Sequence, residues 1–332
     1  MYIRRMYIKW RKINIGRRER LKKRQLISRI MQMMLVLFGI SLVTFALTYL
    51  SPGDPVRTMY ASSGMMPSEE VIQQTRESLG LNRPFFVQYW CWLKDCLSGY
   101  LGISYTAKAP VADVMLLRLG PTLKLAFMSL IVMLMISVPF GMLAAIKKNK
   151  LIDFIVRGTT FLGTSIPNFW VGLMLLYVVA LKFKLLPVIS TGDGIEKMIL
   201  PVLTLAFAMS AKYTRQVRTA ILEELNQDYV IGARARGIKE STILWRHVFP
   251  NALLPLITLL GLSLGSLLGG TAVVEVIFSY PGLGSLAVSA IKSYDYPLIQ
   301  AYVMWIALIY MVINLLVDIS YGYLDPRIRE RR

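Results

Sequence analysis

Apolar residues fill six long blocks of this chain, separated by polar and mostly basic segments. A hydrocarbon core about 30 Å thick needs about 20 apolar residues in helical form. Blocks of that length lie at 26–50, 121–146, 154–183, 198–217, 252–278 and 300–324. Pro167 is expected to divide or kink the third, because proline removes a helix hydrogen bond. Lys212, Arg215 and Arg218 interrupt the end of the fourth. The pattern predicts an all-α polytopic membrane protein with about six transmembrane helices.

Composition agrees: 55% of the residues are hydrophobic and only 17% charged, with a mean hydropathy of +0.53, whereas soluble domains carry about a quarter charged residues. The formal net charge of +19 could signal nucleic acid, but a nucleic-acid binder does not string its basic residues between membrane-length apolar blocks. Their placement is a topology signal, since cytoplasmic loops carry the excess of Lys and Arg. Twelve basic residues from Arg4 to Arg29 precede or open the first block, against Glu19 alone. Lys147, Lys148 and Lys150 follow the second, seven basic residues lie between Lys212 and Arg246, and four close the chain. The alternate loops are balanced: 51–120 holds six basic and six acidic residues, and 279–299 holds Lys292 against Asp295. Both termini are therefore expected in the cytoplasm. The first apolar run is longer than the 7–15 residues of a secretory signal and no small-residue cleavage site follows it, so a retained helix is expected.

The expected organisation is a basic cytoplasmic arm (1–25), a first span (26–50), an extracytoplasmic loop with interfacial helices (51–120), a transmembrane domain (121–324) and a basic cytoplasmic tail (325–332). In the outer loop, Ser68 with Glu69 and Glu70 reads as a capped helix start. Phe85, Phe86, Tyr89, Trp90, Trp92 and Leu93 then form an aromatic amphipathic stretch. It suits either the membrane–water boundary or a platform for an external partner. Cys91 and Cys96, five apart on a helix, point to different faces, so they read as unpaired thiols.

The cytoplasmic segment 218–251 is polar and reads as two short helices. Asp228 is expected to cap the first, Gly237 to end it in a left-handed turn, and Glu240 or Ser241 to begin the second. Small residues at Gly232, Ala233 and Ala235 would let another surface approach closely. Docking of a soluble protein and a merely solvated loop are equal readings on these residues alone.

The same segment resembles the EAA loop of ABC importer permeases. Ile231-Gly232-Ala233 occupies the triplet, Gly237 the following glycine, and His247-Val248-Phe249-Pro250 the end of the motif, although the Glu and Ile of the general pattern are absent. Tyr229-Val-x-x-Ala-Arg-Ala-x-Gly237 and Arg246-His247-x-x-x-Asn251-Ala-Leu-Leu-Pro255 are similar to the version in the peptide/nickel class. So are Ser51-Pro52-Gly53-Asp54-Pro55, Gly99-Tyr100-Leu101-Gly102-Ile103-Ser104, the run from Glu275 to Gly284, Asp295-Tyr296-Pro297 and Asp325-Pro326-Arg327.

The resemblance implies a type I permease fold with a cytoplasmic coupling helix. It also implies a sister permease forming a heterodimer, an extracytoplasmic solute-binding protein, and two ATPases docking through Tyr229, Ile231, Gly232, Ala233, Arg234, Ala235, Gly237, His247 and Pro250. ATP and Mg would sit on those partners, with no cofactor or metal in this chain, which lacks a G-x-x-x-x-G-K-[ST] phosphate loop.

Three glycines at a spacing of four, Gly261, Gly265 and Gly269, form a smooth face for helix packing, either within the subunit or at a permease–permease seam. Glu275, near the outer end of the fifth block, must be paired or reach water, as a gate residue or in a structural hydrogen bond. Lys124, near an outer end, can snorkel, and Asp318 lies about two turns from the inner end. No Ser-His-Asp set, H-E-x-x-H or GxGxxG after a strand points to an enzyme. With His247 the single histidine, nickel would cross as a chelate, or with ligands from the sister subunit, rather than along imidazoles of this chain. Nickel is the cargo to which Gly102-Ile103-Ser104-Tyr105, Pro167-Asn168-Phe169-Trp170 and the 287–297 region are most similar. Di- or oligopeptide is the alternative cargo, and an ion channel or secondary transporter the alternative of another class.

Overall fold

The computed structural model describes residues 27–61, 64, 67–192 and 194–324, and places them in two compact units divided after Ser51. The expected basic arm and tail, including Asp325-Pro326-Arg327, lie outside the described residues, as does the Asp318 side chain.

The first unit is one helix, α1 (Ile27–Leu50), with a mean hydropathy of 2.2 over its most apolar stretch. Within it the Ser41 hydroxyl donates to the Phe38 carbonyl and that of Thr48 to the Thr44 and Phe45 carbonyls. Such back-bonding hides a hydroxyl in an apolar medium.

The second unit opens with three short helices, α2 (Pro55–Ala61), α3 (Glu69–Ser78) and α4 (Phe85–Leu97). Ser68 stands at the cap position of α3 as expected, with Glu69 and Glu70 in the first turn, although its hydroxyl makes no capping bond. Then follow α5 (Val111–Ile146), α6 (Leu151–Ser165), α7 (Asn168–Leu175, prolonged by a π-helical turn to Lys182) and α8 (Glu196–Leu225). Two short helices, α9 (Asp228–Ala235) and α10 (Glu240–Ile243, prolonged by a π-helical turn to Val248), lead into α11 (Phe249–Ile277). The unit closes with α12 (Leu283–Lys292) and α13 (Tyr296–Leu324). Among the described residues the β-type pairing is one isolated antiparallel bridge, between Ile103 and Pro110.

The expected blocks all fall in helices, with one difference. α5 begins ten residues before Pro121, because the apolar sequence from Val111 continues the helix and one missing N–H does not end it. The third block is divided at Pro167, the first of the two outcomes expected there: α6 and the α7 segment meet at 98°. Ile166 is driven into an extended conformation (ψ 127°) by the ring of Pro167, which then opens α7. Among the described residues α1, α5 and α13 are long and apolar enough to cross a membrane unbroken, and up to five spans result if each bent pair counts as one.

The expected fourth span lies in α8, which sits against α5, α6, α7 and α11. A glycine lies against α8 from each of three neighbours. A Cβ at Gly141 of α5 would lie 2.7 Å from the Val217 side chain and 2.8 Å from the Thr214 carbonyl. One at Gly163 of α6 would lie 2.7 Å from Ala211, and one at Gly172 of α7 would lie 3.1 Å from Thr204. Small residues let helix backbones approach where lipid supplies no hydrophobic drive between helices. An ion pair adds to the α6–α8 contact: Arg218 donates Nε to Asp153 Oδ1 (2.6 Å) and an Nη to Oδ2 (2.8 Å), with the carboxylate fully buried. The Asn149 amide also donates to Asp153 (2.9 Å), holding the Lys147–Lys150 turn. Removing one partner of such a pair costs about 3–5 kcal/mol.

Core residues gather in three groups along the bundle. One joins Val111 and Met115 to Leu283 and Leu298 at one end. A second joins Leu125 to Leu205, Val274 and Phe278. The third joins Met133, Met142, Val217 and Ile221 to Val230, Ile243 and Val248 at the opposite end.

Gly141→Ala is expected to destabilise the detergent-solubilised protein by about 1–3 kcal/mol, seen as a lower thermal unfolding midpoint. Gly269→Ala, where no atom lies within 4 Å of an added Cβ, is expected to leave the midpoint unchanged.

Candidate functional site

At the end marked by Val230 and Ile243, α9 buries Val230 and Ala233 in the core, and Ile231, Gly232, Arg234, Ala235, Arg236 and Gly237 stay exposed. Fully burying a valine contributes about 1.5–3 kcal/mol, so the inward face fixes which face is displayed. Ala233 thus anchors the helix and offers no surface to a partner. Gly237 has φ +74° with open space around it, and its amide bonds to the Arg234 carbonyl (2.9 Å) while that of Ile238 bonds to Ala233 (3.2 Å). This is the left-handed end expected from the sequence. Asp228 is not the cap: Gln227 occupies that position and its carbonyl accepts from Val230 and Ile231. Asp228 instead places its charge in the first turn.

The turn into α10 is closed by Arg234, whose Nε donates to Glu240 Oε1 at 2.7 Å. That guanidinium holds the Glu240 carboxyl below its usual range. Tyr229 is half-buried; its hydroxyl donates to Glu224 (2.6 Å) and accepts from Asn251 Nδ2 (3.3 Å). Asn251 also donates to the His247 carbonyl (2.9 Å), which ties the half-buried His247 into the π-helical turn. Pro250 is exposed. So is Trp245, 60% open and edge-on to Phe249, a residue the sequence reading passed over because nothing in its spacing marks it.

The opposite end is held by two buried carboxylates. Glu275 accepts from Thr122 (2.9 Å) and from the Ser285 amide (2.8 Å), and Thr122 accepts from the Leu283 amide (2.7 Å). Gly282 lies so close that a Cβ there would collide with the Glu275 carboxyl. Tyr280 completes the arrangement by donating its hydroxyl to the Pro121 carbonyl (3.0 Å).

Asp295, also fully buried, accepts on Oδ2 from the Ser104 hydroxyl (2.6 Å) and from the Thr106 hydroxyl (2.8 Å) and amide (3.0 Å). Beside it, burial first, then the charge of Asp295 and the neighbouring Tyr296, push the Tyr105 phenol up to about 12. A Cβ on Gly53 would press on the Tyr294 ring at 2.6 Å, and one on Gly102 on Pro297 at 3.4 Å. Asp54 accepts from Arg76 (2.6 Å), joining α2 to α3. Four motifs far apart in sequence thus meet at one end of the bundle.

Each Glu275 oxygen thus accepts one hydrogen bond from within the chain. Added Cβ atoms on Gly261 and Gly265 would collide with Val317 and Tyr310 of α13, so those two glycines serve packing within the subunit. Gly269 alone of the three is exposed with open space.

Comparison with known proteins gives one assignment. Residues 137–330 match the model of the binding-protein-dependent transport system inner membrane component, and residues 22–126 match the model of the N-terminal part of such membrane components. The chain belongs to that family. The oligopeptide transport system permease protein AppB of Bacillus subtilis (strain 168) is 41% identical over 305 residues, covering 88% of this chain and 95% of the relative. The metal-staphylopine import system permease protein CntB of Staphylococcus aureus (strain NCTC 8325 / PS 47) is 36% identical, covering 92% and 98%. The nickel import system permease protein NikB of Staphylococcus aureus (strain USA300) is 39% identical, covering 92% of each. Among solved structures, a chain of the MetNI methionine ABC transporter in inward-facing conformations matches with TM-score 0.55 at 17% identity, over 64% of this chain and 97% of that one. That likeness concerns the fold, a type I ABC importer permease. The protein is accordingly a multi-pass permease subunit of the peptide/nickel class in a bacterial inner membrane, and not an enzyme.

The permease family's N-terminal and C-terminal matches meet physically through Asp295. Asp295→Ala is expected to raise amide hydrogen exchange at Thr106 by about tenfold or more, since a lost charged hydrogen bond is worth about 1.5–3 kcal/mol; unchanged exchange would remove Asp295 from that role. On α4, burial and then the Asp95 charge raise the half-buried Cys96 thiol to about 11. Because the thiolate is the reacting form, iodoacetamide at pH 8 is expected to label the exposed Cys91 before Cys96. Labelling of Cys96 should keep accelerating as pH rises towards 11.

Proposed function

We propose that this permease moves nickel, carried as a chelate, through an ABC importer in which it pairs with a sister permease as a heterodimer. The carrying observation is α9, held from behind by Val230 and Ala233 with Ile231, Gly232, Arg234, Ala235 and Gly237 displayed. That face is the docking surface for two cytoplasmic ATPases, which bind ATP and Mg and whose closure drives the spans between inward- and outward-facing states. His247 and Pro250 lie on the same loop, with Tyr229 bracing it through Glu224 and Asn251. The topology is six spans with both termini cytoplasmic, the fourth formed by the apolar half of α8. An extracytoplasmic solute-binding protein delivers cargo at the end held by Glu275 and Asp295.

With one histidine in 332 residues, the chain offers no series of imidazoles to carry a bare metal ion, which favours a chelate. Di- or oligopeptide cargo is the second reading, supported by the 41% identity to the oligopeptide permease AppB. Titrating the solute-binding protein that co-purifies with the complex, first with nickel chelates and then with peptides, separates them. Saturable peptide binding without metal binding would overturn the nickel reading.

Gly237→Val puts a β-branched residue at a left-handed position, at a cost of about 1–2 kcal/mol. It is expected to reduce co-purification of the ATPases and uptake together while membrane insertion stays normal. Full ATPase recovery and full uptake would sink the docking assignment.

A further inference from the structure

Within the spans, an exposed apolar side chain has lipid to face. α4 lies outside them, yet Phe86, Trp90 and Leu97 are 68%, 57% and 75% exposed. Their spacing, i, i+4 and i+11, sets them on one face of the helix. The aromatic stretch is split by the fold: Phe85, Tyr89 and Trp92 turn inward, with Tyr89 buried, stacked on Phe85 at 6.4 Å and tilted against Trp92 at 6.1 Å. Lys94 borders the outward stripe, and Cys91 and Asp95 lie further round the exposed side.

The distance of this stripe from the span ends is bounded by its tether. The Gly102 carbonyl accepts from the Val111 amide at 3.0 Å, at the start of α5. Ser104 and Thr106 donate to Asp295, next to the start of α13. Leu97 is five residues from Gly102, hence within about 17 Å of those helix ends. Tyr100 and Ile103, both exposed, continue the apolar surface between α4 and the spans.

We propose that α4 lies in the headgroup region of the bilayer on the side opposite the coupling loop, with Phe86, Trp90 and Leu97 in the acyl boundary. Lys94 faces lipid phosphate. An aromatic and leucine stripe bordered by a cation is the composition that binds such an interface. The external carboxylate cluster then has a lipid-anchored neighbour, and the bilayer sets the height of the loop that receives cargo.

Cys91 and Cys96 are the two cysteines of the chain, which makes spin labelling direct. Nitroxides are placed at Phe86→Cys, Trp90→Cys and Leu97→Cys in a Cys91→Ser/Cys96→Ser background. Controls are native Cys91 in Cys96→Ser and an Asp95→Cys variant in the doubly substituted background. The complete transporter is reconstituted in phosphatidylethanolamine–phosphatidylglycerol vesicles, and collision with oxygen is compared with collision with chromium oxalate. The oxygen-to-chromium ratio is expected to be about threefold or more higher at 86, 90 and 97 than at 91 and 95, as for residues in an acyl boundary. Equal ratios at all five positions would overturn the proposal. So would labels at 86, 90 and 97 shielded from both reagents, the signature of a covering protein. Leu97→Cys, at the most exposed of the three positions, carries the test alone if a ring substitution disturbs α4.

Discussion

Close contact with α8 organises the membrane part of this protein. Lipid tails are as apolar as leucine, so helices in a bilayer associate through close packing and polar contacts. α8 meets both needs, receiving Gly141, Gly163 and Gly172 from three different helices and taking Asp153 onto Arg218. Its buried residues include Thr204, Ala211, Thr214 and Val217 where the glycines approach, beside larger ones such as Leu200, Leu205, Tyr213 and Ile221. α8 is a weak apolar span by composition, because Lys212, Arg215 and Arg218 interrupt it. A helix enclosed by protein needs less apolar surface than one that faces lipid on all sides.

The two ends of the bundle are held by different physics. At the end that carries α9, apolar burial dominates: Val230, Ala233, Ile243 and Val248 join the core of α5 and α8, and Arg234 pairs with Glu240 on the surface. At the other end, charge is buried. Glu275 and Asp295 are fully enclosed, and each is matched by amide and hydroxyl donors, with Thr122, Ser104 and Thr106 reaching them from distant parts of the chain. A buried carboxylate is costly unless its oxygens are filled, so these two groups specify one arrangement of their donors. This makes that end a network in which Thr122, Ser285, Ser104 and Thr106 are as constrained as the carboxylates they serve.

In the proposed transporter, this division suits the two tasks. An ATPase must grip a surface that moves as a unit with the spans, and α9 is rooted in the same core as α5 and α8. A cargo-receiving face must keep its shape while the spans tilt, and hydrogen bonds across 191 residues of sequence from Ser104 to Asp295 do that. α12 packs between α11 and α13 and is tied to α11 through Ser285 and Glu275.

The sequence by itself determined the helical membrane class, the left-handed stop at Gly237 and the family. Each depends on local composition or on short motifs: apolar block length, one glycine at a helix end, a few motifs in order. It also singled out Glu275 and the glycines at 261, 265 and 269, but left open whether they served a gate, a seam or the chain's own packing. Tertiary structure supplied their neighbours: one donor on each Glu275 oxygen, and Val317 and Tyr310 of α13 against Gly261 and Gly265. It alone turned Ala233 inward, broke the third block at a right angle, and paired Asp153 with Arg218. The reason is common to all of these. A side chain's partner is set by which helix passes beside it, and that depends on contacts between residues tens or hundreds of positions apart, which periodicity along the chain does not encode.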